Sequence, residues 1–207
     1  MMFLLAGGLI TGIVCLEASK RMIKKRSDEQ MKSLFLIGAP SYIIWALCFG
    51  LVFAFVGTLH ESMINQIYYL LVFSLCACIS AVDLATRKIP NIILLLLMGI
   101  GIVMCFLGDG SLPIVKRLVG MFAASVVFMI PSYMKINVGN GDIKLATVIG
   151  FMLGVSGFLQ AMIIMALGML IYTAFLYISK TGTIRSMAPM GPYISLGFII
   201  SLLYPMI

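Results

Sequence analysis

Val138-Gly139-Asn140-Gly141-Asp142-Ile143-Lys144 is a short polar stretch set between two apolar segments, residues 114–133 and 143–158. Those flanks decide the fold. The apolar runs of this chain are continuous over about 17–22 residues, the length at which a helix crosses hydrocarbon. They do not alternate as membrane β-strands do. Within the polar stretch, Gly139 and Gly141 flank Asn140. Glycines so placed let the backbone take positive φ and approach closely whatever binds there. Asp142 follows at the mouth of the next apolar helix. A carboxylate at mid-bilayer costs ~2.5–3.5 kcal/mol, so an acid beside hydrocarbon marks a functional site. A partner stands at the end of another apolar run, in Asp83-Leu84-Ala85-Thr86-Arg87-Lys88-Ile89-Pro90-Asn91. Two acids at helix ends, one on a glycine loop, point to aspartyl chemistry at a membrane face.

Composition bounds the fold class. Hydrophobic residues make up 62% of the 207 and charged residues 10%, with a mean hydropathy of +1.17. A soluble domain carries ~25% charged residues, so this chain cannot hide its apolar surface from water. It reads as an all-α, polytopic transmembrane bundle, a single domain over 1–207, since a bilayer admits only helices or closed barrels. Cys15, Cys48, Cys76, Cys78 and Cys105 all lie in apolar runs without a C-x-x-C pair. They read as small packing residues, with neither a metal site nor a disulfide framework. His60 beside Glu61 reads as a solvated loop residue.

Outward from the polar stretch, about eight helices are expected. Residues 3–19 form an uncleaved first anchor, with no basic region before it and no cleavage site after it. A basic linker over residues 20–33 reads as topogenic, not as a nucleic-acid site. Residues 34–58 complete an N-terminal pair of helices, 1–58. A catalytic core, 64–207, follows: residues 64–82 ending at Asp83, then 89–107 starting at Pro90, which suits a first helical turn. Next come 114–133, 143–158, 159–178 and 190–206. The break between 143–158 and 159–178 is marked only by Gly154, Ser156, Gly157 and Gln160. Gly8 with Gly12, and Gly150 with Gly154, have the spacing of close helix packing in lipid; the frequency of glycine in membrane helices accounts for them equally well.

With eight spans and the N-terminus outside, 12 of the 14 basic residues fall inside and only Lys116 and Arg117 outside, as the positive-inside rule requires. Asp83 and Asp142 then both face the cytoplasm. Two carboxylates that share a site do not both ionise easily and can hold one proton between them. The ionised member takes a proton from water while the protonated member polarises a carbonyl, which hydrolyses a peptide by general acid–base work. A helix start favours the carboxylate and a helix end disfavours it, so Asp142 is the expected ionised member and Asp83 the protonated one. Read singly, Asp142 is a helix cap and Asp83 an interfacial residue paired with Arg87 or Lys88. On spacing alone, the catalytic and structural readings stand about even.

The motifs add a resemblance. Gly139-Asn140-Gly141-Asp142, followed by Ile143-Lys144-Leu145, resembles the GxGD motif of the type 4 prepilin peptidases. Asp83 with Lys88-Ile89-Pro90-Asn91 resembles that family's first aspartate motif. Ala188-Pro189-Met190-Gly191-Pro192 is similar to the stretch that opens its last helix. The resemblance covers residues 64–207. It implies a bacterial inner-membrane peptidase whose site faces the cytoplasm. Such an enzyme cuts the basic leader from prepilin or pseudopilin-like substrates, with Asp83 and Asp142 as the catalytic pair. Gly139, Asn140, Gly141 and Lys144 would form the active-site loop. Lys88, Pro90, Asn91, Pro189, Gly191 and Pro192 would support the motifs.

One departure is clear. Longer members carry a zinc-binding cysteine domain after the first helix, and residues 20–33 hold no cysteine here, so no zinc is expected. S-adenosylmethionine would be a cofactor only if the chain also methylated its product, an activity that Glu17, near the end of the first helix, could serve. The implied partners are membrane protein substrates and lipid, with no nucleic acid. Two rivals remain: a membrane aspartyl protease for other signal or remnant peptides, and a small proton- or cation-coupled transporter using the same two acids. Transporters often show two related halves with broken helices, and this sequence shows none.

Overall fold

The computed structural model describes residues 2–25, 39–59, 61–107, 112–134, 139–179 and 189–205. Among these residues every regular element is α-helical: α1 Met2–Lys24, α2 Ala39–Thr58, α3 Met63–Thr86, α4 Asn91–Leu107, α5 Ile114–Tyr133, α6 Asn140–Ile178 and α7 Gly191–Leu203. Among the described residues the helices number seven, not about eight. The two segments expected over 143–158 and 159–178 follow one another without a loop, as two helical arms that meet at a kink at Gly154. Four helices, α2, α3, α5 and α6, are long and apolar enough to cross a membrane, while α4 and α7 are shorter apolar helices. His60, Lys135, Val138, Ala188 and residues 26–33 of the basic linker lie outside the described residues.

The chain divides into two compact units, Met1–Ser111 and Leu112–Ile207. In the first, α1 packs on α2 along a seam of small residues. A Cβ on Gly12 would lie 2.7 Å from the Trp45 carbonyl oxygen, and one on Gly8 2.7 Å from that of Phe49. The four-residue spacing thus serves backbone approach. Around the seam Leu16, Phe49, Phe53 and Val56 are buried with Leu70 and Val82 of α3. The Phe49 ring stands edge-on to Phe73 at 5.0 Å between centroids. Helix α3 begins at Ser62, whose hydroxyl accepts the Asn65 N–H at 3.3 Å, the ordinary serine N-cap.

In the second unit α5 runs antiparallel to the start of α6. The Ser125 and Thr147 hydroxyls share a hydrogen bond of 3.0 Å, and the Arg117 Nη1 donates to the Met152 carbonyl at 3.3 Å. Gly120 and Gly150 form the closest approach, and a Cβ on Gly120 would lie 2.6 Å from the Gly154 Cα. At Gly154 the helix breaks, with φ 70 and ψ -172. This is backbone that essentially only glycine adopts.

The break reverses the chain. A straight continuation would place Phe158 roughly 20 Å along the axis from the level of Phe128, at ~1.5 Å per residue. Instead their rings meet at 6.4 Å between centroids. The second arm of α6 then takes α7 along its side. The Ser201 hydroxyl donates to the Gly157 carbonyl at 2.8 Å, Gly197 faces Ala161 and Gly168 faces Tyr193. The first arm, the second arm and α7 therefore alternate in direction. The starts of α6 and α7 lie at the same end of this unit.

Candidate active site

Asp142 stands in the first turn of α6. Its backbone N–H donates to the Gly139 carbonyl at 2.9 Å, and the Ile143 N–H donates to the same oxygen at 3.2 Å. No side chain caps this helix, because Gly139 is the N-cap residue. The half-buried Asp142 side chain folds back over it instead. A Cβ on Gly139 would lie 2.8 Å from Asp142 Oδ2. The glycine is required for that approach and not for positive φ. Its φ is -65, and Gly154 is the glycine with positive φ among the described residues. That corrects the expected use of Gly139 and Gly141. The carboxylate sits at the positive end of a helix, where free N–H groups and the dipole favour an anion.

Asp83 is in the last turn of α3 and is 5% exposed. Leu84, Ala85 and Thr86 remain helical beyond it, so less than a full turn separates the acid from the helix end. The end is fixed by Arg87, which takes the left-handed conformation at φ 52 and ψ 33 and donates its N–H to the Asp83 carbonyl at 2.8 Å. That cap usually falls to glycine or asparagine. The Thr86 hydroxyl donates to the Val82 carbonyl at 2.9 Å and lies 3.3 Å from that of Lys88, which holds the turn after the acid.

The supporting residues divide between the two units. Beside Asp83, Lys88 and Asn91 are exposed and Pro90 is buried. The Pro90 carbonyl accepts the N–H of Ile93 at 3.1 Å and of Leu94 at 3.4 Å, so Pro90 caps α4 and Asn91 begins it. Beside Asp142, Asn140 and Lys144 are exposed and Gly141 is half-buried. At the same end of that unit, Pro189 precedes α7, Gly191 is buried, and Pro192 lies in the first turn.

Glu17 is engaged locally. It accepts from the Tyr42 hydroxyl at 3.2 Å and pairs with Arg21 at 3.8 Å. It lines a groove of about 490 Å³ together with Val14, Ala18, Arg21, Met22 and Lys25.

The model of the Type IV leader peptidase family matches residues 70–176, a little over half of the chain. The chain belongs to the type IV leader peptidase family. Both acids and the whole polar stretch fall inside the matched region. Membership in this family, with the apolar helices, makes the chain a multi-pass membrane peptidase. No curated protein and no solved structure matches it.

Three features of this leader peptidase escape sequence reading. Arg117 counts as an exterior charge by topology, yet it is buried and donates to the Leu112 carbonyl at 3.2 Å as well as to Met152. The sharpness of the break at Gly154 has no longer signature than one glycine. Ser195 is 2% exposed within α7, and serine at a helical position is too common to signal anything.

Proposed function

We propose that this family member is an aspartyl endopeptidase that removes the basic leader from prepilin or pseudopilin-like substrates at the cytoplasmic membrane face. The observation that carries the reading is Asp142 Oδ2 folded against Gly139 at the start of α6, a carboxylate placed where a helix dipole favours its anion. Asp142 takes the proton from water, and Asp83, buried in the last turn of α3, supplies the proton that polarises the scissile carbonyl. Water attacks that carbonyl, the tetrahedral intermediate collapses, and the amine leaves with the proton. Gly139, Asn140 and Gly141 shape the loop beside the attacking water. The exposed ammonium of Lys144 adds positive potential at the same rim. Neither zinc nor S-adenosylmethionine enters this reaction.

The substrate reading rests on the motif resemblance and on charge. A leader with basic residues ahead of an apolar helix places its cleavage site at a membrane face, where the two acids are expected. The test is co-expression with prepilin-like proteins of the same cell, followed by mobility on a gel. Wild type should cleave. Asp83→Asn and Asp142→Asn, each present in the membrane at wild-type level, should lose 10²-fold or more, the scale of acid–base catalysis. Undiminished cleavage by either variant would remove that acid from the mechanism. Failure of wild type on every candidate would remove the substrate class.

A further inference from the structure

Ser195 differs from the buried Ser19 and Ser201 and from the half-buried Ser74, Ser80 and Ser125 at other helix positions. Ser19, Ser74, Ser80 and Ser125 each donate to the carbonyl four residues earlier, at 2.7–2.8 Å. Ser201 reaches across to Gly157. The Ser195 hydroxyl, in contrast, is buried with no hydrogen-bond partner among the described residues. A buried hydroxyl left unpaired costs free energy, and each such group in a native fold calls for an explanation.

Its position supplies one. Tyr193, Gly197 and Ser201 of α7 face the second arm of α6. At ~100° per residue, Ser195 lies about 160° round the helix from their mean direction, so it does not serve that contact. Its depth is also set. Ser201 bonds at Gly157 and Gly197 meets Ala161, which puts Ser195 level with residue 163, about 13 Å from the break at Gly154 at ~1.5 Å per residue. Leu145, on the first arm, is the same number of residues from that break. Ser195 is therefore about one helical turn deeper than Asp142, at the same end of the same unit.

We propose that Ser195 is a substrate-binding residue, whose hydroxyl pairs with a peptide carbonyl of the substrate's apolar segment just below the cut. This rests on the peptidase reading above. A peptide bond inside a helix cannot be hydrolysed until the strand around it unwinds. An unwound strand beside hydrocarbon exposes carbonyls that must find donors within protein. Ser195 offers an unspent O–H at the depth where the first of them falls.

The test compares variants in membranes on a prepilin-like substrate, with a thermal midpoint for each. Ser195→Ala should retain or raise the midpoint, since it deletes an unpaired group. Its kcat/KM should fall about three- to tenfold, mainly through KM. Ser195→Thr and Ser195→Val differ only by the hydroxyl. Thr should keep the higher kcat/KM and Val should resemble Ala, even if the added methyl lowers both midpoints. Wild-type kcat/KM in Ser195→Ala, or equal values for Thr and Val, overturns the assignment while leaving the peptidase reading intact. A lowered midpoint in Ser195→Ala with unchanged kinetics does the same. Undiminished cleavage by Asp142→Asn would instead overturn the reading on which the assignment rests.

Discussion

At the scale of single residues, the Gly139–Asp142 contact makes a sharp prediction. A methyl group on residue 139 would lie 2.8 Å from Asp142 Oδ2, and a carboxylate rotates aside cheaply. Gly139→Ala should therefore fold with little change in thermal midpoint while cleavage falls about 10²-fold, the cost of a ~1 Å misplacement of a reacting group. A normal turnover number at normal expression would show that Asp142 need not lie against residue 139. Asp83, Asp142 and the glycines beside Asp142 stand out in the sequence because acids and clustered glycines are rare beside apolar runs. Their placement at the end of α3 and the start of α6 follows from the same polar breaks. The reason for Gly139 was not legible. Positive φ and close approach leave the same letter in a sequence, and only coordinates separate a φ of -65 from a left-handed turn. The opposite error would have been made at Arg87, where a left-handed cap carries no glycine to announce it.

At the scale of elements, the first arm of α6 is held at both ends. Gly139 accepts its opening N–H bonds, and Arg117 donates to Met152 where the helix breaks. Arg117 also ties down Leu112 ahead of α5. Arg117→Met keeps the length of the side chain and deletes these donors. It should lower stability by about 2–3 kcal/mol, the worth of hydrogen bonds from a charged group together with the carbonyls left unpaired. Thermal denaturation in detergent checks this, and an unchanged midpoint would mean that the helix end needs no cap. Helix boundaries were largely readable from hydropathy, as for residues 114–133, which match α5 as written. The break in α6 was not placed correctly. No charge or proline interrupts residues 145–178. Glycines and small polar residues marked the neighbourhood, but only backbone torsion identifies Gly154 as the hinge.

At the scale of the whole molecule, the seven helices of the described residues fall in two compact units, and each unit carries one of the acids. Leu95, Phe106, Phe122 and Ile178 are each more than 70% exposed, which is stable only in a bilayer. That the chain is a multi-pass helical protein was therefore settled by composition, before any motif was weighed. The reversal at Gly154 has a genetic consequence. In a saturation scan scored by membrane abundance, codon 154 should tolerate no missense change, because every replacement adds a Cβ to backbone that rejects one. Codons 7 and 99 should accept alanine and serine freely, since nothing lies within 4 Å of a Cβ built there. Equal depletion at all three codons would mean that glycine is selected by composition alone; depletion confined to 154 would make one missing methyl group the heritable instruction for the path of the C-terminal helices.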